Sequence, residues 1–296
     1  MSLSRAKPRT ARTQPWESPL QALFKGAQQD VFSWRRHQGR ELLLINHPLC
    51  QAVFSVQGAQ LLHFQPRGER PLLWCAARWP QVGAIRGGVP VCWPWFGRHP
   101  TETGWPHHGW ARLDDWQLLS KSSSAQGVQL CWRLQLHDWQ VELEAQLGDA
   151  MHLQLRTRHS DSEPCVLSHA LHAYWRVSDI NALSISGLEG IPGYHLRSRE
   201  DCQQATPVRI ADACHQLYSV GAALRLNDPH SPRQLLVDTC GNANTVLWHP
   251  GSQPLNFVSW SESLAFVSIQ AAACEANSLT LAPGQDAVLN LHARLL

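Results

Sequence analysis

Three successive segments in the middle of the chain alternate apolar and polar side chains. They span residues 128–136, 141–147 and 151–158, and Gly148-Asp149 forms a turn between the second and third. In a β-strand, neighbouring side chains point to opposite faces, so this alternation puts one face against a core and the other in water. The pattern predicts an antiparallel meander with one solvated face.

Shorter apolar runs extend the strand pattern along the chain, and glycine and proline residues separate them. They lie at residues 42–45, 52–56, 61–64, 71–74, 234–238, 265–270 and 287–293. No apolar stripe with helical spacing continues for more than a few turns. Many short strands without long helices favour an all-β fold, a single large antiparallel β-sandwich.

Two stretches rich in glycine, proline and tryptophan interrupt the strand pattern at residues 85–97 and 106–112. Glycine allows unusual backbone angles and close backbone approach, and proline fixes its own backbone angle. Such stretches are poor strands, and we expect them to shape the rim of a cleft.

Residues 168–180 carry an unusual number of polar groups for an apolar run: two histidines, an arginine and an aspartate beside two aromatic residues. A buried polar group without a partner costs about 1–3 kcal/mol, so a lined site on a strand is the economical explanation. His172 is its candidate proton donor, since histidine titrates near neutral pH. The alternative is a structural histidine with satisfied hydrogen bonds.

Arg86 and Arg112 lie beside glycines, where a guanidinium group can bind an anion such as phosphate with two hydrogen bonds. Ordinary surface ion pairs are the alternative. Aromatic side chains surround both arginines, and an indole face can cover the apolar face of a sugar or simply belong to the core. These aromatic residues are Trp93, Trp95, Phe96, Trp105 and Trp110.

The composition narrows the class of protein. The 296 residues carry a net charge of +2, which argues against nucleic acid or membrane partners, and 16% charged with 44% hydrophobic residues fits a globular protein. Nine singly spaced cysteines indicate a reducing compartment, so we expect a cytoplasmic protein. No nucleotide-binding motif or metal-ligand spacing is present, and we expect neither a cofactor nor a metal.

The N-terminus has four basic residues and no acidic residue before Glu17. We expect residues 1–16 to form a solvated basic tail, with a partner-binding arm as the alternative, and residues 17–296 to form one domain. Nothing in the sequence predicts the oligomeric state.

Taken together, the motifs resemble those of the hexose-6-phosphate mutarotases (glucose-6-phosphate 1-epimerases) of the galactose-mutarotase-like superfamily. The resemblance begins near Glu41 and covers nearly all of the remaining chain. Its specific blocks are Arg-Gly-Gly-Val-Pro-Val-Cys-Trp-Pro-Trp-Phe-Gly at 86–97 and Ala-Leu-His-Ala-Tyr at 170–174. Supporting motifs lie at residues 56–59, 108–112, 177–180, 187–190 and 281–284.

The resemblance implies a large β-sandwich that binds a sugar phosphate in a cleft and interconverts its anomers without a cofactor. It implies that His172 is the acid and that Arg86 and Arg112 bind substrate. Further substrate-binding candidates are His107, His108, Trp93 and Asp179.

Three positions depart from the family pattern. The family's base is a glutamate, but Gln270 stands there, after Ile269 and eleven residues before Leu281. His215 replaces an aspartate, and His249 replaces the asparagine of a Trp-Asn-Pro run.

Gln270 matters because mutarotation moves two protons, one to the ring oxygen and one from the anomeric hydroxyl. A neutral amide is a very weak base, and loss of a positioned base costs about 10²–10⁴ in rate. Either His107 or His249 would have to replace it. Three interpretations remain open: a working mutarotase, a sugar-phosphate-binding relative that has lost turnover, and a scaffold for a protein partner.

Overall fold

The computed structural model describes residues 18–25 and 30–296, so the predicted tail at 1–16 lies outside the described residues. The first strands are β1 (Phe32–His37), β2 (Arg40–Asn46), β3 (Cys50–Ser55), β4 (Gln60–Pro66), β5 (Val91–Cys92), β6 (Gln117–Ser124), β7 (Gly127–Leu136), β8 (Trp139–Leu147), β9 (Ala150–His159), β10 (Cys165–Leu167) and β11 (His169–Leu171). The later strands are β12 (Tyr174–Arg176), β13 (Ser184–Ser186), β14 (Pro192–His195), β15 (Asp201–Gln203), β16 (Cys214–Tyr218), β17 (Ala223–Asn227), β18 (Leu235–Asp238), β19 (Asn244–His249), β20 (Phe266–Ala273), β21 (Leu279–Leu281) and β22 (Asp286–Leu295). The helical segments of the described residues are one α-helical turn, α1 (Trp260–Ser263), and 3₁₀ turns at Gln21–Phe24 and Glu275–Asn277.

Two eight-stranded sheets dominate this all-β fold, as the sequence pattern predicted. One has the order β13-β17-β18-β22-β9-β8-β7-β6. The other, called the site sheet here, has the order β15-β14-β16-β19-β20-β11-β5, and β12 pairs with β20 beyond the end of β11. Strands β1 to β4 form a smaller meander, and β10 pairs with β21. The main core draws residues from the four-stranded meander and from both large sheets.

The alternating segments at 128–136, 141–147 and 151–158 form the adjacent antiparallel strands β7, β8 and β9, which confirms the predicted meander. Their apolar side chains point into the core, and β22 closes the meander on its other side by pairing with β9. Residues 71–74, expected to be another strand, are not one: Leu73 forms an isolated bridge to Trp175, and the chain bends at Leu72.

Strand β20 lies in the middle of the site sheet, and all eight of its residues are buried. Val267, Ile269 and Ala271 point into the main core. Because side chains alternate along a strand, Ser268 and Gln270 point to the opposite face of the sheet. That opposite face carries the site described below.

In the part of the chain that the structure describes, no helix is long and apolar enough to cross a membrane.

Candidate active site

The Arg-Gly-Gly block runs beside the strands that carry His172. Pro90 O accepts the backbone N–H of His172 at 3.0 Å, and Gly88 O accepts that of Tyr174 at 2.8 Å. A side chain at position 88 would put its Cβ 2.1 Å from Leu61 O, so only glycine allows this approach. The block thereby brings Arg86 to the same cleft as His172.

The second glycine-containing block is held in a similar way. A Cβ at Gly109 would lie 2.0 Å from Trp93 O, so the loop can pass this close to Trp93 only with glycine there. Gly97 N–H donates to His108 Nδ1 at 2.9 Å, which fixes the ring of His108. This loop brings His107, His108 and Arg112 to the cleft.

The cleft encloses a cavity of about 940 Å³, and positively charged or titratable side chains dominate its wall. Four arginines line it: Arg86, Arg98, Arg112 and Arg197. Six histidines line it: His107, His108, His172, His195, His215 and His249. Among the described residues the one carboxylate in the wall is Glu275, and it is engaged in an ion pair with Arg199 at 2.8 Å. No carboxylate of the described residues pairs with any of the four arginines.

His172 lies where pairing with β20 is interrupted between β11 and β12. Its Nδ1 is hydrogen-bonded to Ser268 Oγ at 3.1 Å, and nothing among the described residues occupies its Nε2. Burial, with smaller effects of Arg112 and Arg86, lowers the pKa of His172 to about 3. The imidazole is therefore neutral at pH 7, whereas the sequence led us to expect titration near neutral pH.

Arg86 and His172 are connected through Tyr174. Arg86 Nη1 donates to the Tyr174 hydroxyl at 3.4 Å, and the Tyr174 ring stacks on His172 with centroids 4.8 Å apart. The His108 ring meets His172 edge-on at 5.9 Å. The predicted acid and two predicted substrate-binding residues thus border one cavity.

His107 and His108 differ in solvent exposure and in the hydrogen bonds of their rings. The His107 ring is exposed and contacts the His108 ring at a centroid distance of 4.0 Å, and the backbone oxygen of His107 accepts a hydrogen bond from Arg112. Burial and then Arg112 lower the pKa of His108 well below its usual value. Since Nδ1 of this neutral ring accepts a hydrogen bond, Nε2 carries the proton, and His108 is a donor toward the cavity.

His215 and His249 stand at the two other altered positions, and only one of them has free ring nitrogens. His249 Nε2 pairs with Ser263 O at 2.9 Å, and its Nδ1 accepts from Gly251 N–H at 3.0 Å. It therefore has no nitrogen left to act as the substitute base suggested from sequence. No hydrogen bond within the described residues involves the ring of His215.

Gln270 lies on the cleft face of β20 but is not part of the cavity wall. It is 1% exposed, and neither Oε1 nor Nε2 has a hydrogen-bond partner among the described residues. Its strand neighbour Val246 belongs to a small apolar cluster with Leu217 and Ala272, which lies on the same face. An amide so enclosed cannot accept the anomeric proton.

Two predicted sugar-binding residues lie elsewhere and require correction. Trp93 is fully buried in the main core, and its Nε1 donates to Thr157 Oγ1 at 3.0 Å, so its indole cannot cover a sugar. Asp179 does not line the cavity, and its carboxylate caps a turn by accepting from Asn181 N–H at 3.0 Å. Of the five aromatic residues named from sequence, only Phe96 lines the cavity. Trp248, which the sequence did not single out, does so as well and meets His172 edge-on at 5.8 Å.

Comparison with known proteins agrees with this geometry. The family model for aldose 1-epimerase matches residues 41–291. A candidate glucose-6-phosphate 1-epimerase of Escherichia coli is 38% identical over 169 residues, which cover 53% of this chain and 56% of that protein. A protein of the same description from Haemophilus influenzae is 28% identical over 203 residues, covering 67% of this chain and 72% of the relative. The matched region thus spans little more than half of the E. coli relative.

Among solved structures, the crystal structure of a candidate mutarotase from Salmonella typhimurium superposes with a TM-score of 0.82. It is 25% identical, and the superposition covers 90% of this chain and 95% of that one. The fold of nine-tenths of this chain is therefore shared with that structure.

Proposed function

Because the chain belongs to the aldose 1-epimerase family, we propose that it is a mutarotase that interconverts the α and β anomers of a hexose 6-phosphate such as glucose 6-phosphate. One observation carries the proposal: His172 borders a cavity with its Nε2 free, and four arginines without carboxylate partners line the same wall. A proton-transfer group and an anion-binding wall in one cleft suit a phosphorylated sugar.

The arginines favour a phosphorylated substrate over a neutral sugar. Guanidinium groups bind phosphate oxygens with two parallel charge-assisted hydrogen bonds. Arg86 and Arg112 both influence the pKa of His172, so an anion bound by them would lie near the catalytic imidazole. A neutral sugar would leave these charges uncompensated.

Substrate charge favours the protonated form of His172 that an acid requires, while burial remains the main cause of its low pKa. Arg112 and Arg86 contribute to its low pKa, and a bound phosphate dianion offsets both charges. The pKa of His172 therefore rises when substrate binds, and the imidazolium then donates from Nε2 to the ring oxygen. Ser268 fits both states of the ring, because a hydroxyl donates to the neutral Nδ1 and accepts from the protonated Nδ1–H.

Binding of a sugar phosphate without turnover is the second candidate function. The enclosed amide of Gln270 at the family's base position favours it, since that amide cannot accept a proton.

Magnetisation exchange between the two anomeric protons of glucose 6-phosphate separates the two functions, with calorimetry as the binding measurement. A mutarotase increases exchange above the spontaneous rate in buffer. Binding without faster exchange would support the second function, and absence of binding would exclude both.

A further inference from the structure

We infer that His215 is the proton acceptor of the reaction, in place of the carboxylate that Gln270 does not supply. This inference rests on the proposed mutarotase function and adds a residue to it. A proton acceptor needs an unoccupied, neutral, basic atom in the cavity wall, and the ring of His215 has one.

The other candidates in the wall are already engaged or badly placed. Glu275 is held in its ion pair with Arg199. His249 uses both ring nitrogens within the fold, and His108 has only an N–H left to offer. His107 is an exposed residue of the rim loop, and His172 is the donor. His195 pairs with Gln216 of β16, so its side chain belongs to the face of the sheet opposite to that of His215.

His215 lies on the floor of the cleft, in the same row of the site sheet as the residues that hold His172. Trp248 of β19 pairs with His215 of β16 on one side and with Ser268 of β20 on the other, and Ser268 pairs with Tyr174. Directly paired residues of antiparallel strands share a face, so all four side chains lie on the cleft face of the sheet. Tyr174, Trp248 and His215 line the cavity, and Ser268 is buried beneath it.

This row sets the two imidazoles apart by a useful distance. Strands β16 and β20 are two strand spacings apart, about 10 Å, and Trp248 of β19 lies between them. A sugar ring that spans His215 and the ring of His172, which Ser268 holds, would therefore lie over the Trp248 side chain. The two rings sense each other's charge, since a positive charge on His215 lowers the pKa of His172. His172, as the donor, and His215, as the acceptor, can therefore contact opposite sides of one bound sugar.

The basicity of His215 suits the role. Burial lowers its pKa to about 4, so the ring is neutral at pH 7 and has a lone pair available. An ordinary glutamate has a pKa of about 4.3, so this imidazole is about as basic as the carboxylate it replaces.

The proton transfers balance without any co-reactant. A ring nitrogen of His215 takes the proton of the anomeric hydroxyl while the C1–O5 bond breaks and C1=O1 forms. The electron pair of that bond goes to O5, which receives the Nε2 proton of the His172 imidazolium. After rotation about C1–C2, attack of O5 on the other face of C1 reverses both transfers and restores both histidines.

The test compares His215→Gln with His215→Glu in the full-length protein, with His230→Gln as the matched control. His230 is an exposed histidine outside the cavity wall. We expect His215→Gln to lower the enzyme-catalysed anomer exchange of glucose 6-phosphate about 10²–10⁴-fold, and His215→Glu to retain it because a carboxylate also accepts the proton. Calorimetry should still detect glucose 6-phosphate binding to both variants.

The outcomes separate this inference from the proposed function. If the natural protein does not accelerate exchange, the proposed function fails and His215 has no reaction to serve. If the natural protein is active and His215→Gln exchanges as fast, His215 is not the acceptor. Equal losses of anomer exchange in His215→Gln and His215→Glu would likewise overturn the inference. So would a result in which His107→Gln loses exchange while both His215 variants keep it.

Discussion

His172 faces Gln270 across two neighbouring strands of the site sheet. Leu171 pairs with Ala271 on one side of this position, and Tyr174 pairs with Ser268 on the other, in one continuous register. The position of the acid that the resemblance implies and the altered base position therefore lie level with each other on neighbouring chain segments. Yet His172 borders the cavity while the amide of Gln270 is enclosed.

A carboxylate at position 270 should not increase activity. We expect anomer exchange by Gln270→Glu to be no faster than that of the natural protein, because a side chain at this position is enclosed and does not reach the cavity that would hold the sugar. Gln270→Met is the control of similar size. It removes two unpaired polar atoms, so it should raise the free energy of unfolding by about 1–3 kcal/mol in urea titrations without increasing exchange. Faster exchange in Gln270→Glu than in the natural protein would contradict this account.

Removal of His172 should affect turnover more than binding. We expect His172→Asn to lower anomer exchange about 10²–10⁴-fold, because asparagine cannot protonate the ring oxygen. Calorimetric affinity for glucose 6-phosphate should change little, since Arg86 and Arg112 remain. An exchange rate equal to that of the natural protein would reduce His172 to a structural residue.

Ser268 should act on the reaction through His172. We expect Ser268→Ala to lower exchange about fivefold, because loss of a hydrogen bond worth about 1 kcal/mol lets the imidazole turn away from the substrate. The pH profile should shift as well, since the hydroxyl no longer stabilises the protonated ring. Ser55→Ala is the matched control: Ser55 is also a fully buried strand serine, but its Oγ has no partner among the described residues. Similar profiles for the two variants would rule out the positioning role.

The cavity arginines should determine affinity. We expect Arg86→Ala combined with Arg112→Ala to weaken glucose 6-phosphate binding about a hundredfold or more, since each charged hydrogen bond contributes about 1.5–3 kcal/mol. The exposed strand residue Arg36 offers a control, and Arg36→Ala should bind normally. Calorimetry measures all three proteins, and undiminished affinity in the double variant would place the phosphate elsewhere.

The fold should be sensitive to mild acid. His169 is fully buried with neither ring nitrogen bonded among the described residues, and burial lowers its pKa from 6.5 to about 4. Between those values the unfolded chain binds the proton and the folded one does not, so stability is lost as pH falls from 6.5 toward 4. This residue alone accounts for roughly 2 kcal/mol between pH 6.5 and 5.

His169→Leu should remove that contribution. We expect the variant to lose less stability than the natural protein over the same pH interval, measured by urea unfolding at several pH values. Parallel pH dependence in the two proteins would mean that His169 titrates normally.

The sequence predicted strand positions correctly wherever one face of a sheet is exposed to solvent. The segments at 128–136, 141–147 and 151–158 alternate because β7, β8 and β9 have a core face and a solvated face. In the sequence, strand β20 is visible only as an apolar run, because all its residues are buried. The run does not show which of its residues face the cleft.

The sequence motifs predicted most of the site residues, whereas the chemical type of a residue alone did not show whether it lies in the site. His172, Arg86, Arg112, His107 and His108 come together because their glycine-flanked blocks were recognised as units. The prediction that Trp93 binds sugar was wrong because an indole in such a block can face either the cleft or the core. Which face it takes depends on a partner distant in sequence, Thr157. His215 and Ser268 acquire their surroundings from strand pairing across β16, β19 and β20, which no local pattern encodes.

The unpaired arginines of the cleft also have a kinetic consequence. A concave wall of uncompensated positive charge draws anions in from a distance, so capture of a sugar phosphate should be faster than random encounter. That advantage fades as ionic strength rises, because salt shortens the range of the field. The association rate, rather than the chemistry, would then be the step most responsive to the surrounding salt.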